Sequence, residues 1–320
     1  MSDAKTLPTA LRRWAEREIA GVAEARDASH TRENSRVWEL VRADGCRFYL
    51  KVSATARIYE RETFALRHAV PALGAGRAPQ LRASSAEHLA LLTTAVPGRP
   101  AEELPLTAAE EYEAHRQGGL LLARLHTAGD LTGHWRAEAE GALHVAAYDV
   151  DRHLEEAGDR LTEAEHRLVR HLADQLRWAG PLPLGFIHGD ARPRNLLWSG
   201  HAAWIDFARS RFAPVVQDFV ALACGVWADR PRLRTACLSG YGRELTPQEL
   251  RVLKCLAGLD AVRALALTRG ATHDTNVRDA DTRDADTRDA EARDPEAHED
   301  SYAAARGRRT LHRLMTGVFA

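Results

Sequence analysis

The stretch FIHGDARPRNLLWSGHAAWIDFARS, residues 186–210, limits what this chain can fold into more than any other. It sets Asp190, Asn195 and Asp206 among the apolar runs Phe186-Ile187, Leu196-Leu197-Trp198 and Trp204-Ile205. Drawing a carboxylate or an amide toward a core without partners is costly, about 2–7 kcal/mol even for an uncharged polar group. Three such residues bracketed in this way predict a polar site mounted on buried strands. Ser199-Gly200-His201 reads as the turn of a hairpin, and the two ends of a hairpin lie close together. Asn195 and Asp206 are therefore expected to converge.

The rest of the chain supplies a frame for that site. With 320 residues, 45% hydrophobic and 28% charged, it is long enough for two lobes with a core each. A formal net charge of −1 gives no general attraction to nucleic acid or to a membrane surface. The cations are nearly all arginine; Lys5, Lys51 and Lys254 are the only lysines. Cys46, Cys224, Cys237 and Cys255 form no close pair and no metal-binding spacing, which predicts reduced thiols. The opening MSDAKTLPTALRRW lacks the apolar segment of a signal peptide, and no run reaches the roughly 18 apolar residues of a membrane span. A cytoplasmic protein is expected.

Residues 36–52, RVWELVRADGCRFYLKV, read as a β-hairpin around Ala43-Asp44-Gly45, with Lys51 near the end of its second strand. Residues 56–70 have helical periodicity. Ile58, Tyr59, Ala65, Leu66, Ala69 and Val70 form one stripe that also holds Glu62, whereas Glu60 falls on the opposite face. An inward glutamate needs a cation, and Lys51 is the nearest in sequence. HLALLTTAVPGRP, residues 88–100, reads as a strand stopped by Pro97-Gly98, a hinge signal. Thr107 with Glu110, Thr162 with Glu165, and Thr246-Pro247 with Glu249 mark helix starts. Helices are expected over about 107–127, within 137–178, and over about 214–227, 231–241, 247–269 and 300–316, with short strands near 196–198 and 203–207. Residues 278–297 repeat RDADT, RDADT, RDAEA, RDPEA; this charged period of five cannot build a core and predicts an insertion between two helices.

The chemistry follows from residue type. An amide oxygen and a carboxylate are hard donors that suit Mg²⁺ carrying nucleotide phosphates. Asp190, beside Asn195 and Asp206, is placed to accept a proton from a hydroxyl. An aspartate base, an asparagine five residues later and a further aspartate divide the work in this way in a kinase catalytic loop, and a lysine held by a glutamate neutralises phosphates. Lys51 and Glu62 supply that pair.

The whole set resembles the aminoglycoside phosphotransferase and choline kinase family. HGDARPRN is similar to that family's H-G-D-x-x-x-x-N loop and WIDFARS to its I-D-F/W segment. FYLKV and RETFALR resemble its lysine strand and glutamate helix, LALLTTAVPGRP its hinge, and LLLARLH its first long helix in the second lobe. The resemblance implies an α+β, two-lobed, protein-kinase-like fold. Residues 1–96 would form a small β-rich lobe, and 97–320 a larger helical lobe carrying the catalytic loop, the substrate pocket and the repeat. It implies Asp190 as catalytic base, Asn195 and Asp206 as Mg²⁺ ligands, Lys51 on the α- and β-phosphates with Glu62 as partner, and the Thr94 and Val96 backbone at the nucleobase. Ser35 falls where many relatives carry an asparagine in the phosphate-covering loop, and SHTRENSRVWEL lacks that loop's glycines. Asp218 and His188 are implied as braces of the catalytic loop. The implied reaction is ATP-dependent phosphorylation, with GTP as the other donor, of a small hydroxylated molecule: an aminoglycoside or other antibiotic, or alternatively choline, an amino alcohol or a sugar. No nucleic-acid or membrane partner is implied.

Other readings compete. Asp and Asn favour turns, so the three polar residues could be turn chemistry alone. His188, Asp190, His201 and Asp206 could hold zinc in a hydrolase, which leaves Lys51, Glu62 and Asn195 unexplained. A nucleotide-binding module without turnover would account for the glycine-free loop. A protein kinase would need an A-P-E segment and an activation loop, and neither follows Asp206. Arg192 and Arg194 replace the small residues common after HGD; they read either as surface arginines or as contacts to a phosphate or an anionic substrate group. Asp260 reads as a helix-surface aspartate or as a partner for a substrate amine.

Overall fold

In a computed structural model, residues 6–29, 35–267 and 295–319 are described. In chain order the elements are α1 (Thr9–Ile19), β1 (Glu24–Asp27), β2 (Arg36–Val41), β3 (Arg47–Val52), α2 (Ala56–Phe64), β4 (Leu81–Ser85), β5 (Ala90–Thr94) and β6 (Arg99–Pro100). There follow α3 (Ala108–His126), α4 (Gly133–Tyr148), α5 (Val150–Ala157), α6 (Glu163–Arg177), β7 (Leu184–Ile187), β8 (Leu196–Trp198), β9 (Ala202–Trp204) and β10 (Arg211–Pro214). The chain closes with α7 (Val220–Cys224), α8 (Val226–Asp229), α9 (Pro231–Tyr241), α10 (Pro247–Leu267) and α11 (Pro295–Met315). It divides into two compact units, Met1–Glu140 with Leu182–Thr246, and Gly141–Pro181 with Pro247–Ala320.

The first unit holds an antiparallel sheet in the order β1-β2-β3-β5-β4. Alternation along β3 decides what each face does. Phe48 and Leu50 join Trp38, Leu40, Ala90 and Leu92 in a core with Leu11, Trp14, Ala15 and Ile19 of α1. Lys51 pairs in register with Val37 and Leu91, one residue out of phase with that core, and so lies on the other face. A slip of one residue would exchange Lys51 and Leu50. Glu62 is buried and Glu60 exposed on α2, as the stripe predicts.

The α-helix is shorter than its periodicity suggests. It gives way to a wider π turn at Ala65–Ala69 and a 3₁₀ turn at Val70–Leu73, where Pro71 has no N–H for an α-helical bond. The hairpin of β8 and β9 turns at Ser199–Gly200–His201, and β6 lies beside β8. β9 ends at Trp204, so Asp206 stands two residues beyond the strand, with a left-handed φ of 65°. β7 pairs with β10, an unexpected strand that ends where the helix over about 214–227 is expected to begin. The expected helix over 214–227 is a 3₁₀ turn at Val215–Phe219 followed by α7 and α8, broken at Gly225.

Capping boxes close the N-termini of α3 and α6 at Thr107 with Glu110 and at Thr162 with Glu165. α3 and α9 approach through glycines: a Cβ on Gly119 would lie 2.0 Å from the Cys237 carbonyl oxygen, and one on Gly240 would lie 1.7 Å from that of Arg116.

In the second unit α10 packs on α5, α6 and α11. Asp260 is held there by Arg263 at 3.1 Å and Arg306 at 3.0 Å, an ion-paired helix aspartate. Residues 278–294 of the repeat lie outside the described residues; Pro295 already belongs to α11.

Candidate active site

Two clusters of charge form the site, and both lie in the first unit. In one, Lys51 Nζ on β3 stands 3.1 Å from Glu62 Oε2 on α2 and 2.9 Å from Asp206 Oδ1 after β9. The lysine side chain is 14% exposed. Burial disfavours the charged form of Asp206, and Lys51 more than offsets this, so the carboxyl sits below its ordinary range. The lysine thus joins a strand, a helix and a loop that local sequence alone does not connect.

In the other, Asp190 is buried at the turn after β7. Arg192 Nε lies 2.8 Å from its Oδ1, Arg194 Nη2 lies 3.1 Å from its Oδ2, and Arg209 Nη1 lies 3.8 Å from Oδ1. Burial pushes this carboxyl up; the three arginines, with His188, more than reverse the push and hold it at about 2. Asn195 donates from Nδ2 to the Asp190 carbonyl oxygen at 2.9 Å and to Oδ2 at 3.2 Å. That orientation leaves the carboxamide oxygen of Asn195 as its remaining donor to a cation.

A buried scaffold fixes the turn. Asp218 accepts the backbone N–H of His188 and of Gly189, each at 2.7 Å. His126, at the end of α3, places Nε2 2.9 Å from Asp218 and Nδ1 2.8 Å from the Tyr241 hydroxyl. His188 accepts the Asp190 N–H at Nδ1 and meets the Ile205 carbonyl through Nε2, which fixes its tautomer. Ser210 Oγ donates to the His188 carbonyl at 3.0 Å. Gly189 has φ +78°, and a Cβ there would sit 2.3 Å from the Arg209 carbonyl oxygen, so only glycine fits.

The sequence-predicted residues therefore separate into groups. Lys51, Glu62 and Asp206 meet directly, as do Asp190 with Asn195, and Asp218 with the His188 backbone. Thr94 ends β5, and its N–H bonds to the Gln80 carbonyl at 2.9 Å. Val96 is half-buried and Ser35 buried; residues 30–34 beside Ser35 lie outside the described residues. Among the described residues no group of three or more His, Cys, Asp and Glu could hold a metal ion, and His201 is exposed in its turn. This removes the structural support for a zinc hydrolase. Arg192 and Arg194 are not plain surface arginines, since both engage Asp190. Sequence reasoning missed Arg209, His126 and Tyr241. His126 carries one signal, a histidine that follows the apolar stripe Leu121, Leu122 and Leu125.

Residues 24–254 match the model of the phosphotransferase enzyme family. The chain belongs to this family. The phosphotransferase is 34% identical over 168 residues to a homoserine kinase of Beijerinckia indica subsp. indica, a match that takes in 47% of this chain and 50% of that protein. The chain thus matches half the length of this curated relative. Its fold is similar to that of a macrolide 2'-phosphotransferase from Brachybacterium faecium (TM-score 0.56, 18% identity, 93% of this chain and 98% of the other). It is also similar to a thermostable mutant of the aminoglycoside phosphotransferase APH(4)-Ia in ternary complex with ADP and hygromycin B (TM-score 0.62, 13% identity, 95% and 98%). The phosphotransferase has the α+β, protein-kinase-like fold that its motifs imply, with a β-rich N-terminal region and a helical remainder. Among the described residues no helix is long and apolar enough to cross a membrane.

Proposed function

We propose that this phosphotransferase moves the γ-phosphoryl group of ATP to a hydroxyl of a small molecule in the cytoplasm. One observation carries the reading: the lysine of β3 bonds to both Glu62 and Asp206, while Asp190 and Asn195 hold one another in the adjoining loop. Asp190 would receive the hydroxyl proton as the acceptor oxygen bonds to the γ-phosphorus. The bond from that phosphorus to the bridging oxygen breaks, and ADP leaves with the electron pair. Lys51 would neutralise the α- and β-phosphates and be held to this by Glu62. The backbone of Thr94 and Val96 would meet the nucleobase, and Ser35, part of the phosphate-covering loop, would serve the nucleotide phosphates. His188 and Asp218 would keep the Asp190 turn in place.

The donor set fits a magnesium ion. Asp206 is held in its anionic form, and Asn195 has its carboxamide oxygen left; both are hard donors. They would hold Mg²⁺, which would supply positive charge to offset that of the nucleotide phosphates.

The homoserine kinase relative supports a metabolic alcohol as acceptor. An antibiotic acceptor is the second reading; the hygromycin B complex of a 13%-identical neighbour favours it. A screen of hydroxylated compounds with MgATP tests the activity, read as a gain of about 80 Da for one phosphoryl group. Wild type is expected to give product, and Asp190→Ala to lose a factor of about 10²–10⁴ in turnover. Equal turnover in the two proteins would overturn the assignment of Asp190. Nucleotide-dependent thermal stabilisation without any product would instead favour a binding module.

A further inference from the structure

The cations of the site fall into two groups with different partners. Lys51 sits on Glu62 and Asp206. Arg192, Arg194 and Arg209 converge instead on the single carboxylate of Asp190. We infer that Arg192 and Arg194, with Arg209 beside them, recognise an anionic group, a carboxylate or a phosphate, carried by the alcohol that is phosphorylated. The inference rests on reading Asp190 as the group that receives the hydroxyl proton.

Both oxygens of Asp190 are engaged, Oδ1 by Arg192 and Oδ2 by Arg194 and Asn195. Each carboxylate oxygen accepts about two hydrogen bonds, so Oδ2 is filled and a hydroxyl would reach Asp190 at Oδ1, beside the Arg192 guanidinium. A hydroxyl that shares Asp190 loosens its hold on the guanidiniums beside it, and these can then turn to a second anion. The planar fork of a guanidinium matches a carboxylate or a phosphate with two parallel hydrogen bonds. An acceptor that brings such a group can meet these arginines with its anion while its hydroxyl meets Asp190. The side chains of Arg192 and Arg194 are 25% and 31% exposed, so they are reachable from solvent while still paired.

The surroundings extend the same sign of charge. Arg209 is 56% exposed, and its neighbour Arg211 is held by Gln217 and feels both Arg61 and Arg209. Glu138 answers Arg61 at 3.7 Å, and Asp218 and Glu138 offset part of the charge around Arg211. An ammonium-rich acceptor would have to approach Asp190 past three guanidiniums. A hydroxy acid or a phosphorylated alcohol would be drawn in.

The test uses the full chain, MgATP and matched alcohols: glycerate and glycerol 3-phosphate, neutral glycerol, and cationic choline and hygromycin B. Product is expected from anion-bearing alcohols and not from the cationic ones. For the better anionic acceptor, Arg192→Gln and Arg194→Gln should each raise KM at least tenfold while KM for ATP stays within twofold. Arg192→Lys and Arg194→Lys keep a charge against Asp190, guard against loss of folding, and should fall between. Product from cationic alcohols alone overturns the inference. So does a rise in KM for ATP without a rise for the acceptor, because the arginines would then serve the transferred phosphoryl group. If no alcohol is phosphorylated, the phosphotransferase reading fails separately, and calorimetry on the ADP-bound protein decides the arginine site. Glycerate or glycerol 3-phosphate should then bind wild type at least tenfold more tightly than the double variant Arg192→Gln, Arg194→Gln. Equal binding, or none to wild type, overturns the site.

Discussion

Asp218 shows how much a single buried side chain can organise. It is fully enclosed, accepts two backbone N–H groups from the turn that carries Asp190, and takes a third bond from His126. Burial alone would favour its neutral form; His126 is the largest of the groups that hold it ionised, with further help from His188 and the Gly189 N–H. Asp218→Ala would leave three donors without an acceptor. It is expected to cost about 3 kcal/mol in urea denaturation and to lower turnover, because the turn loses its anchor. Asp218→Asn keeps one acceptor oxygen and should fall between the two. Lys51 acts differently, since it links parts of the site rather than bracing one loop. Lys51→Ala removes the cation that keeps Asp206 ionised, so the Asp206 carboxyl should move upward, toward or beyond its ordinary value. Titration of its side chain by NMR, with and without Lys51, would measure this.

Helix packing in the first unit depends on the absence of side chains. Gly119 and Gly240 let α3 and α9 approach until backbone meets backbone. Gly240→Ala should cost about 3 kcal/mol or prevent folding, since neither backbone can yield locally. Gly141→Ala is the control: it lies in α4 with nothing within 4 Å of the added carbon, and should gain up to about 1 kcal/mol in helix propensity. α3 also carries His115. Burial, with Arg230 and Arg232 nearby, lowers its pKa from 6.5 to about 4. The unfolded chain therefore takes up a proton between pH 6.5 and 4 that the folded chain refuses. Stability from this residue is complete above about pH 6.5, and about 3 kcal/mol of it should disappear by pH 4. Denaturation across that range should show the loss in wild type and not in His115→Leu. The capping boxes of α3 and α6 were legible because their partners are three residues apart. The strand β10 was not, because its four residues have no period and its partner β7 lies far back in the chain.

At the scale of the whole molecule, no disulfide holds the fold. All four cysteines lie outside any disulfide; Cys46 is exposed and the other three are buried. Burial pushes the Cys237 thiol up to about 12 and that of Cys255 up to about 11, so neither supplies a thiolate at neutral pH. A thiol reagent should label one cysteine of the native chain promptly and all four after unfolding, and reductant should leave the melting temperature unchanged. Deletion of residues 278–294 should leave folding and activity intact, if the repeat is the insertion its composition predicts; loss of the folded protein would contradict that. Local sequence was enough for the order of strands and helices around the motifs, the inward face of α2, and the residue types of the candidate site, because these depend on period, caps and turns within a few residues. The tertiary structure alone decided the partners. Lys51 meets Asp206 across 155 positions, His126 meets Asp218 across 92, and three arginines close on Asp190, a partner that spacing did not single out for any of them. Periodicity fixes the side of an element on which a charge stands; which opposite charge it meets depends on how distant elements pack.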